Sequence, residues 1–362
     1  IFKSKKIDIL FESIGLSDGI SKKVVETALK NKINVITPNK ALIAKHGDYL
    51  SKLAEKNKVN LEFEASVCGG VPIIRSLKEG LIANKIHKIY GIFNGTSNYI
   101  LSSMDKENKS FSDVLRKAKK LGYAESNPLS DLNGDDVSAK LKILSSLCFN
   151  SFLNNNIHVE GIKDIDRDDI SYAKKLGYKI KLLGYAELID KHIFQRVHPT
   201  LIKKSSYVAG IDGVLNAVII DGIPVGQSII QGEGAGPAAT TSALISDISS
   251  ILRGNIKFPF SISNKERKKL NFRQISERYF SAYLRFNVVD KPGVLSNITQ
   301  IFSKNNVSIK RLVQDPNKNK GSSSIIIITH PSKDKSLNKI IKIINRRSYV
   351  KKRSKLIRID EE

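Results

Sequence analysis

The chain has 362 residues, enough for two or three domains that each bury their own core. Its formal net charge is +25, but the lysines are spread along the whole chain rather than gathered in one stripe, so a nucleic-acid-binding surface is not predicted. Its apolar runs are shorter than the ~18 residues of a membrane span and its two cysteines form no CxxC pair, so we expect a cytoplasmic protein with no membrane segment and no zinc site.

The first 65 residues alternate between strand and helix patterns. Predicted strands at 7–11, 33–37 and 61–65 are separated by predicted helices at 24–29 and 41–55. This alternation is typical of a parallel α/β sheet, and such sheets bind dinucleotides at the carboxyl ends of their strands. We therefore expect a cofactor site at that edge.

The turn after the first predicted strand contains Ile14 and Gly15, which are candidate cofactor contacts. The glycine-rich GxGxxG segment that usually holds a dinucleotide pyrophosphate occurs nowhere in the chain. Either the sequence begins inside the fold, after that segment, or the protein binds no dinucleotide. We favour the first alternative, because residues 7–11 already have the pattern of a middle strand.

Asn39 and Lys40 follow the second predicted strand and open a helix, so they lie at the same edge of the sheet. Lys40 could meet a cofactor phosphate or the oxygen that reacts. Further along, residues 94–100 follow a predicted strand at 88–93. Their short polar side chains suit a loop that lines a pocket, and a helix-capping turn through Thr96 or Ser97 is compatible with that role.

Residues 118–140 carry the most informative pattern. A stripe of apolar residues at helical spacing after Gly134 predicts a helix from about Asp135, which places Asp136 and Lys140 one turn apart on one face. Partial burial would depress the pKa of Lys140 towards the range that suits proton transfer, whereas the carboxylate one turn away works against that depression but can fix the position of the lysine. Glu125 and Asp131, on the proline-containing loop before this helix, could accept hydrogen bonds from a substrate ammonium group. The alternative is an ordinary exposed ion pair.

This segment resembles the signature of the homoserine dehydrogenase family. The resemblance implies that Lys140 and Asp136 serve proton transfer and positioning, that Glu125 and Asp131 bind homoserine, and that the segment of Asn39 and Lys40 contacts the nicotinamide cofactor. The positions in register are Ala118, Gly122, Tyr123, Asn127, Pro128, Asp131, Leu132, Gly134, Asp136 and Lys140.

Residues 64–72 are similar to the E-A-(S/T)-V-G-G-G-I-P turn of that family, which holds a monovalent cation, usually sodium. The resemblance implies Glu64, Val67, Gly69 and Val71 as its ligands, and hard oxygen donors suit such an ion. Cys68 stands where the family commonly has glycine. A catalytic thiol there is not favoured, since no histidine partner is indicated.

Segments at 197–200 and 216–218 also match the family on predicted strands, and we expect His198 to be structural. Residues 232–237 resemble a family turn before a helix at 236–252 that returns to the cofactor domain. Backbone amides at that helix start, near Gly234, could approach the cofactor.

Residues 254–277 are polar and irregular and predict a linker. Beyond them, 278–362 follow the order β-α-β-β-α-β, with a half-buried strand at 282–288, and are ferredoxin-like. With its Asp-Lys-Pro-Gly turn this part resembles an ACT domain, a module that senses amino acids and usually works in pairs. Threonine is the natural guess for an effector, with contacts at Asn306 and around Gly293; a purely structural role in dimerisation is the alternative.

The fold hypothesis is therefore α/β with three parts: a partial Rossmann-like dinucleotide-binding domain at 1–65, an α+β catalytic and dimerisation domain with an open sheet at 66–253, and a C-terminal ferredoxin-like ACT domain at 278–362. The function hypothesis is reversible, NAD- or NADP-dependent interconversion of L-homoserine and L-aspartate 4-semialdehyde by a homo-oligomer. A non-catalytic amino-acid sensor that keeps the fold is the alternative, and an upstream aspartate kinase domain stays open.

Overall fold

A computed structural model describes residues 6–254, 257–316 and 321–360. The first elements are β1 (Ile9–Phe11), α1 (Ile20–Lys30), β2 (Asn34–Ile36), α2 (Lys40–Asn57) and β3 (Leu61–Glu62). The three strands pair in parallel in the order β1-β2-β3, which confirms the predicted parallel sheet. Among the described residues β1 lies at the edge of this sheet and is only partly buried, so the pattern of a middle strand predicted for 7–11 is not confirmed. The third strand is shorter than predicted, because residues 64–66 turn into a single 3-10 helix.

The middle of the chain combines helices with long antiparallel strands. Five of these strands are neighbours in the order β7-β6-β4-β8-β9, and α9 packs back against β2 and the turn at 64–66. The elements are α3 (Ile73–Arg75), β4 (Lys85–Ile92), α4 (Gly95–Glu107), α5 (Phe111–Lys120), α6 (Leu129–Asn133), α7 (Asp135–Cys148), β5 (His158–Val159), α8 (Arg167–Lys175), β6 (Tyr178–Ile189), β7 (His192–Lys203), β8 (Leu215–Ile223), β9 (Gly226–Glu233) and α9 (Pro237–Leu252).

The C-terminal part has the predicted β-α-β-β-α-β order, with two short additional strands. Its main strands are neighbours in the order β12-β13-β11-β15, which confirms a ferredoxin-like unit. The elements are β10 (Asn271–Phe272), β11 (Tyr279–Val289), α10 (Val294–Lys304), β12 (Ile309–Pro316), β13 (Ser322–Thr329), β14 (Ser332–Lys333), α11 (Asp334–Ile344) and β15 (Val350–Asp360).

One sheet runs through both of the larger parts of the molecule. Strand β15 pairs in parallel with β7, with Arg358 opposite Thr200 and Asp360 opposite Ile202. The result is a 12-stranded sheet that joins the ferredoxin-like unit to the strands of the middle part of the chain. The C-terminal unit is therefore joined to the middle part of the molecule by backbone hydrogen bonds between β15 and β7 as well as by the covalent chain.

The prediction that the strand at 282–288 is half-buried was wrong, because both of its faces are covered. Phe286 packs against α10 through Phe302 on one face. On the other face Tyr283 is fully buried and its hydroxyl lies 3.3 Å from the carboxylate of Asp169 in α8. Helix α8 belongs to the middle of the chain, so the second face of β11 is covered by an element outside the C-terminal unit.

The segment predicted as a linker is irregular but anchored by Arg267. The Arg267 side chain is fully buried, and its Nη2 lies 2.7 Å from Asp48 Oδ1 in α2 and 2.9 Å from Ser146 Oγ in α7. The same guanidinium donates to the carbonyl of Ser151 at 2.8 Å, and its plane lies over the ring of Phe260. This side chain therefore holds α2 against α7.

His198 lies inside the sheet, on β7, and is fully buried. Its Nε2 accepts a hydrogen bond from Arg196 at 2.6 Å, and burial holds the pKa of His198 well below its usual value. A neutral ring with neighbours on both sides agrees with the structural role predicted for it. Among the described residues, no helix combines the length and the apolar character needed to cross a membrane.

Candidate active site

A cavity of about 640 Å³ lies between the three-stranded sheet and helices α4 and α7. The structure brings together around it the five side chains predicted for catalysis and substrate binding: Lys40, Glu125, Asp131, Asp136 and Lys140. Gly69 and Gly234 also border the cavity, whereas Ile14 and Gly15 do not.

Asp136 is held between two ammonium groups. Its Oδ2 lies 2.9 Å from Lys140 Nζ, and its Oδ1 lies 3.0 Å from Lys40 Nζ. Lys140 Nζ also donates to the carbonyl of Phe93 at 2.7 Å. The Asp136 and Lys140 side chains are 5% and 10% exposed, so they are not the ordinary exposed ion pair that was the alternative.

The pKa of Asp136 is lowered and the pKa of Lys140 is raised from their ordinary values. Burial alone would raise the pKa of Asp136, but the charges of Lys140 and Lys40 outweigh burial and lower it. Burial, the largest single influence, would lower the pKa of Lys140, but the charge and the hydrogen bond of Asp136, together with the charges of Cys68 and Asp131, outweigh burial and raise it. The prediction of a depressed lysine pKa was therefore wrong, and Lys140 is cationic at neutral pH.

Asn94 links the aspartates Asp131 and Asp136, a role that the sequence analysis did not predict. Its amide nitrogen donates to Asp131 Oδ1 at 2.8 Å and to Asp136 Oδ2 at 2.9 Å. Its amide oxygen accepts the backbone N–H of Ser97 at 2.7 Å, which caps α4. The signal in the sequence was an asparagine between a strand and a helix. This pattern indicates a helix cap, but it does not indicate that the side-chain amide nitrogen donates to two aspartates.

Asp131 and Glu125 have different surroundings. Asp131 lies in the short helix α6 rather than in a loop as predicted, and burial together with the charge of Asp136 raises its pKa. Glu125 is exposed at the rim of the cavity and makes no ion pair with any described residue. The turn before it is held by Thr96, whose hydroxyl donates to the carbonyl of Tyr123 at 2.7 Å.

A buried carboxylate that the sequence analysis missed, Glu12, organises the turn at the end of β1. Glu12 is 1% exposed and accepts hydrogen bonds from Thr37 Oγ1 at 2.6 Å and from the backbone N–H of Ile14 at 2.8 Å. Asn39 caps α2 through its side-chain oxygen and donates to the carbonyl of Leu16 at 2.8 Å. An acid directly after an apolar stretch with the pattern of a strand was the available signal.

Glu64 is buried at the predicted cation turn. Its two carboxylate oxygens accept the backbone N–H groups of Ile74 at 2.9 Å and Arg75 at 2.7 Å, at the start of α3. Burial raises the pKa of Glu64 to about 7. No described backbone amide donates to the carbonyls of Val67 and Gly69.

The Val71 carbonyl, by contrast, already accepts the N–H of Ile73 at 2.7 Å. Cys68 has a φ of 55°, in the left-handed region where glycine is favoured, which is a physical reason for glycine at this position. No group of three or more acidic, histidine or cysteine side chains able to hold a metal is found within the described ranges.

The turn that contains Gly234 is packed tightly onto this segment. The N–H of Gly70 donates to the carbonyl of Glu233 at 3.0 Å, and a Cβ on Gly69 would lie 2.7 Å from the Gly234 oxygen. A Cβ on Gly234 would lie 2.1 Å from Cγ of Asn216, which is fully buried. Neither glycine therefore has room for a side chain.

Comparisons with known proteins point to one family. Family models match residues 2–64 as the NAD-binding domain of homoserine dehydrogenase, 72–249 as homoserine dehydrogenase and 282–348 as an ACT domain. A homoserine dehydrogenase of Neisseria gonorrhoeae is 39% identical over 98% of this chain and 83% of its own length.

Two solved structures extend this similarity to the fold. A homoserine dehydrogenase from Thiobacillus denitrificans matches with a TM-score of 0.92 at 36% identity, over 99% of this chain and 84% of that one. A hyperthermophilic archaeal homoserine dehydrogenase in complex with NADPH matches with a TM-score of 0.60 at 27% identity, over 69% of this chain and 73% of that one.

Proposed function

The chain belongs to the homoserine dehydrogenase family, and we propose that the cavity bordered by Lys140, Asp136 and Asp131 is where it interconverts L-homoserine and L-aspartate 4-semialdehyde. The observation that carries the proposal is the buried carboxylate of Asp136 shared by two lysine ammonium groups, at 2.9 and 3.0 Å. We further propose that residues 1–65, 66–253 and 278–362 act as cofactor, catalytic and regulatory domains, with 254–277 as the connection.

Because its pKa is raised, Lys140 carries a proton at neutral pH before the reaction begins. In aldehyde reduction the cationic Lys140 donates a proton to the carbonyl oxygen as hydride arrives at the carbon. In alcohol oxidation the neutral amine, having lost its proton to solvent, accepts the hydroxyl proton. Asp136 holds the Lys140 amine in place in both directions of the reaction. Lys40 lies on the other side of the Asp136 carboxylate, where it can approach the substrate oxygen that reacts.

NAD or NADP, when bound, supplies or accepts the hydride. We propose that Ile14, Gly15, Asn39, Lys40 and Gly234 contact it. A Cβ on Gly15 would meet no atom within 4 Å, so the turn after β1 leaves room for a ligand to approach its backbone. Comparing KM for the two cofactors in the full-length enzyme decides which is preferred.

We propose that Glu125 and Asp131 bind the substrate ammonium group. Asp131→Asn in the full-length enzyme should raise the KM for homoserine by about 10- to 100-fold, the value of a charge-assisted hydrogen bond, and leave the KM for the cofactor unchanged. Glu125→Gln should act in the same direction and more weakly, because Glu125 is exposed. Absorbance at 340 nm follows the reaction.

Asp135→Asn is the control for these two variants, because Asp135 is exposed and does not border the cavity. Unchanged homoserine KM in both Asp131→Asn and Glu125→Gln would refute the assignment. A full-length enzyme that produces no change at 340 nm with homoserine and either cofactor would favour the alternative of a non-catalytic sensor.

We propose that Glu64 and the carbonyls of Val67 and Gly69 hold a monovalent cation such as Na⁺, with Val71 a weaker candidate. The buried Glu64 carboxylate, with its pKa of about 7, and two carbonyls that accept no described backbone amide make a set of hard oxygen donors. The cation would supply positive charge beside the Gly69–Gly234 contact at the cavity.

Replacing Na⁺ by N-methylglucamine at constant ionic strength should therefore lower activity and weaken cofactor binding, because the turn next to the cofactor loses a ligand. Glu64→Gln should reduce this dependence on Na⁺. Equal rates in both buffers would contradict the cation proposal. Glu79→Gln, at an exposed carboxylate on the following segment, is the matched control.

We propose that the ACT unit binds an amino-acid effector. Threonine is the first candidate, and its effect on the reaction rate tests this proposal. A cavity of about 500 Å³ lies at the β11–α10 turn and includes Asp290, Gly293 and Gln314. Asn306, the other residue suggested for effector binding, borders a different cavity at the far end of α10. Sedimentation with and without threonine tests the homo-oligomer.

A further inference from the structure

A fully buried arginine on β15, Arg358, forms an ion pair between the C-terminal unit and the catalytic part. Arg358 is 1% exposed, and its Nη1 lies 3.0 Å from both carboxylate oxygens of Glu160. Its Nε donates to Asp334 Oδ1 at 2.7 Å, within the C-terminal unit. Glu160 belongs to the catalytic part and directly follows β5, so the ion pair crosses between the two units.

The residues that follow Glu160 lie directly on helix α6. The N–H of Ile162 donates to the carbonyl of Leu132 at 2.9 Å. A Cβ on Gly161 would lie 2.1 Å from that carbonyl oxygen and 2.6 Å from Cα of Asn133, which is closer than any side chain tolerates. Glycine at 161 is therefore required by a backbone-to-backbone contact with α6.

Helix α6 carries Asp131, and Gly134, the residue directly after α6, is the N-cap of α7. Gly134 has a φ of 88°, and a Cβ there would lie 3.1 Å from Cγ1 of Val159 and 3.4 Å from the carbonyl of Glu160. The segment 159–162 thus packs against residues 132–134, which connect Asp131 to the helix of Asp136 and Lys140. The N–H of Glu160 is in turn bonded to the carbonyl of Val197 on β7 at 2.7 Å.

We propose that Arg358 is a positioning residue for Asp131, acting through Glu160, Gly161 and the backbone of α6. The inference rests on the proposed role of Asp131 in binding the substrate ammonium group. The C-terminal unit then contributes to the homoserine site itself, without a side chain in the cavity. A contact that merely stabilised the fold would affect unfolding but not substrate affinity in particular.

The direct test is Gly161→Ala in the full-length enzyme, because the added Cβ must push α6 away while the φ of Gly161 suits alanine. Since a misplacement of about 1 Å in a substrate-positioning group costs up to about 100-fold, we expect the KM for homoserine to rise by about 10-fold or more. The KM for the cofactor should stay unchanged. Gly222→Ala is the matched control, because its Cβ would meet neighbours at an ordinary 3.5 Å.

Arg358→Lys is the second variant, and it decides the matter if Gly161→Ala does not fold. It keeps the charge, but a single ammonium group cannot contact Glu160 and Asp334 together as the guanidinium does through Nη1 and Nε, so the homoserine KM should rise by less than in Gly161→Ala. The double variant Arg358→Lys/Asp131→Asn should have the same homoserine KM as Asp131→Asn alone, because both changes act through one residue.

The inference is overturned if the variant that folds leaves the homoserine KM unchanged, or raises both KM values equally, while Asp131→Asn raises the homoserine KM alone. Additive effects in the double variant would also overturn it. If Asp131→Asn itself has no effect, the proposed substrate role of Asp131 fails instead, so the two failures are distinguishable.

Discussion

Lys140→Ala in the full-length enzyme is expected to lower kcat for homoserine oxidation by at least about 100-fold, the range of a lost general acid–base catalyst. The change removes the amine that exchanges the substrate proton and leaves the rest of the cavity in place. The fold should survive, because Asp136 keeps Lys40 at 3.0 Å and Asn94 at 2.9 Å and is not left as an unpaired buried charge.

Steady-state rates at 340 nm and the thermal unfolding midpoint measure these two effects separately. Lys142→Ala is the matched control, since Lys142 lies on the same helix and contacts Asn155 rather than the cavity. A kcat near that of the unaltered enzyme would refute the catalytic assignment. A large loss of stability together with the loss of rate would mean that Lys140 acts through the fold.

Arg267→Met is expected to destabilise the protein by about 2–4 kcal/mol, because buried hydrogen-bond partners lose a charged donor, while Asp48, which is 32% exposed, keeps part of its hydration. The variant leaves Asp48 without its cation and leaves Ser146 and the carbonyl of Ser151 without the guanidinium donor. Because Arg267 holds α2 against α7, the relative position of Lys40 and Lys140 should also loosen, so kcat should fall at temperatures where the protein is still folded.

Urea-induced unfolding measures the loss of stability, and initial rates measure the second effect. Arg273→Met is the control from the same segment, because Arg273 is 37% exposed and its contact with Asp190 is a single 3.4 Å ion pair at the surface. An unfolding midpoint equal to that of the control would contradict the role of Arg267 as an anchor.

Local pattern was sufficient to predict several features of this protein. The parallel arrangement of the first strands, the start of α7 at Asp135 and the ferredoxin-like order after residue 278 all follow from apolar periodicity and turn residues. The four predicted acid and lysine side chains could be placed near one another, because the helical spacing of Asp136 and Lys140 and the short loop before them restrict their positions.

Some features depended on residues far apart in the sequence. Asn94 and Asp131 are 37 positions apart, and Arg267 and Asp48 are 219 apart, so no local pattern relates them. The same is true of β15 beside β7, which puts Arg358 next to Glu160.

The direction of the Lys140 pKa shift shows what sequence and tertiary structure each determine. The sequence by itself placed Asp136 and Lys140 on one helix face and thereby predicted a coupled acid and amine. Whether burial or the neighbouring charge dominates depends on how deeply the pair is enclosed and how close the atoms come. At 2.9 Å, between side chains that are 10% and 5% exposed, the charge and hydrogen bond of the Asp136 carboxylate, with smaller contributions from Cys68 and Asp131, outweigh the loss of hydration, and only the folded chain sets that distance.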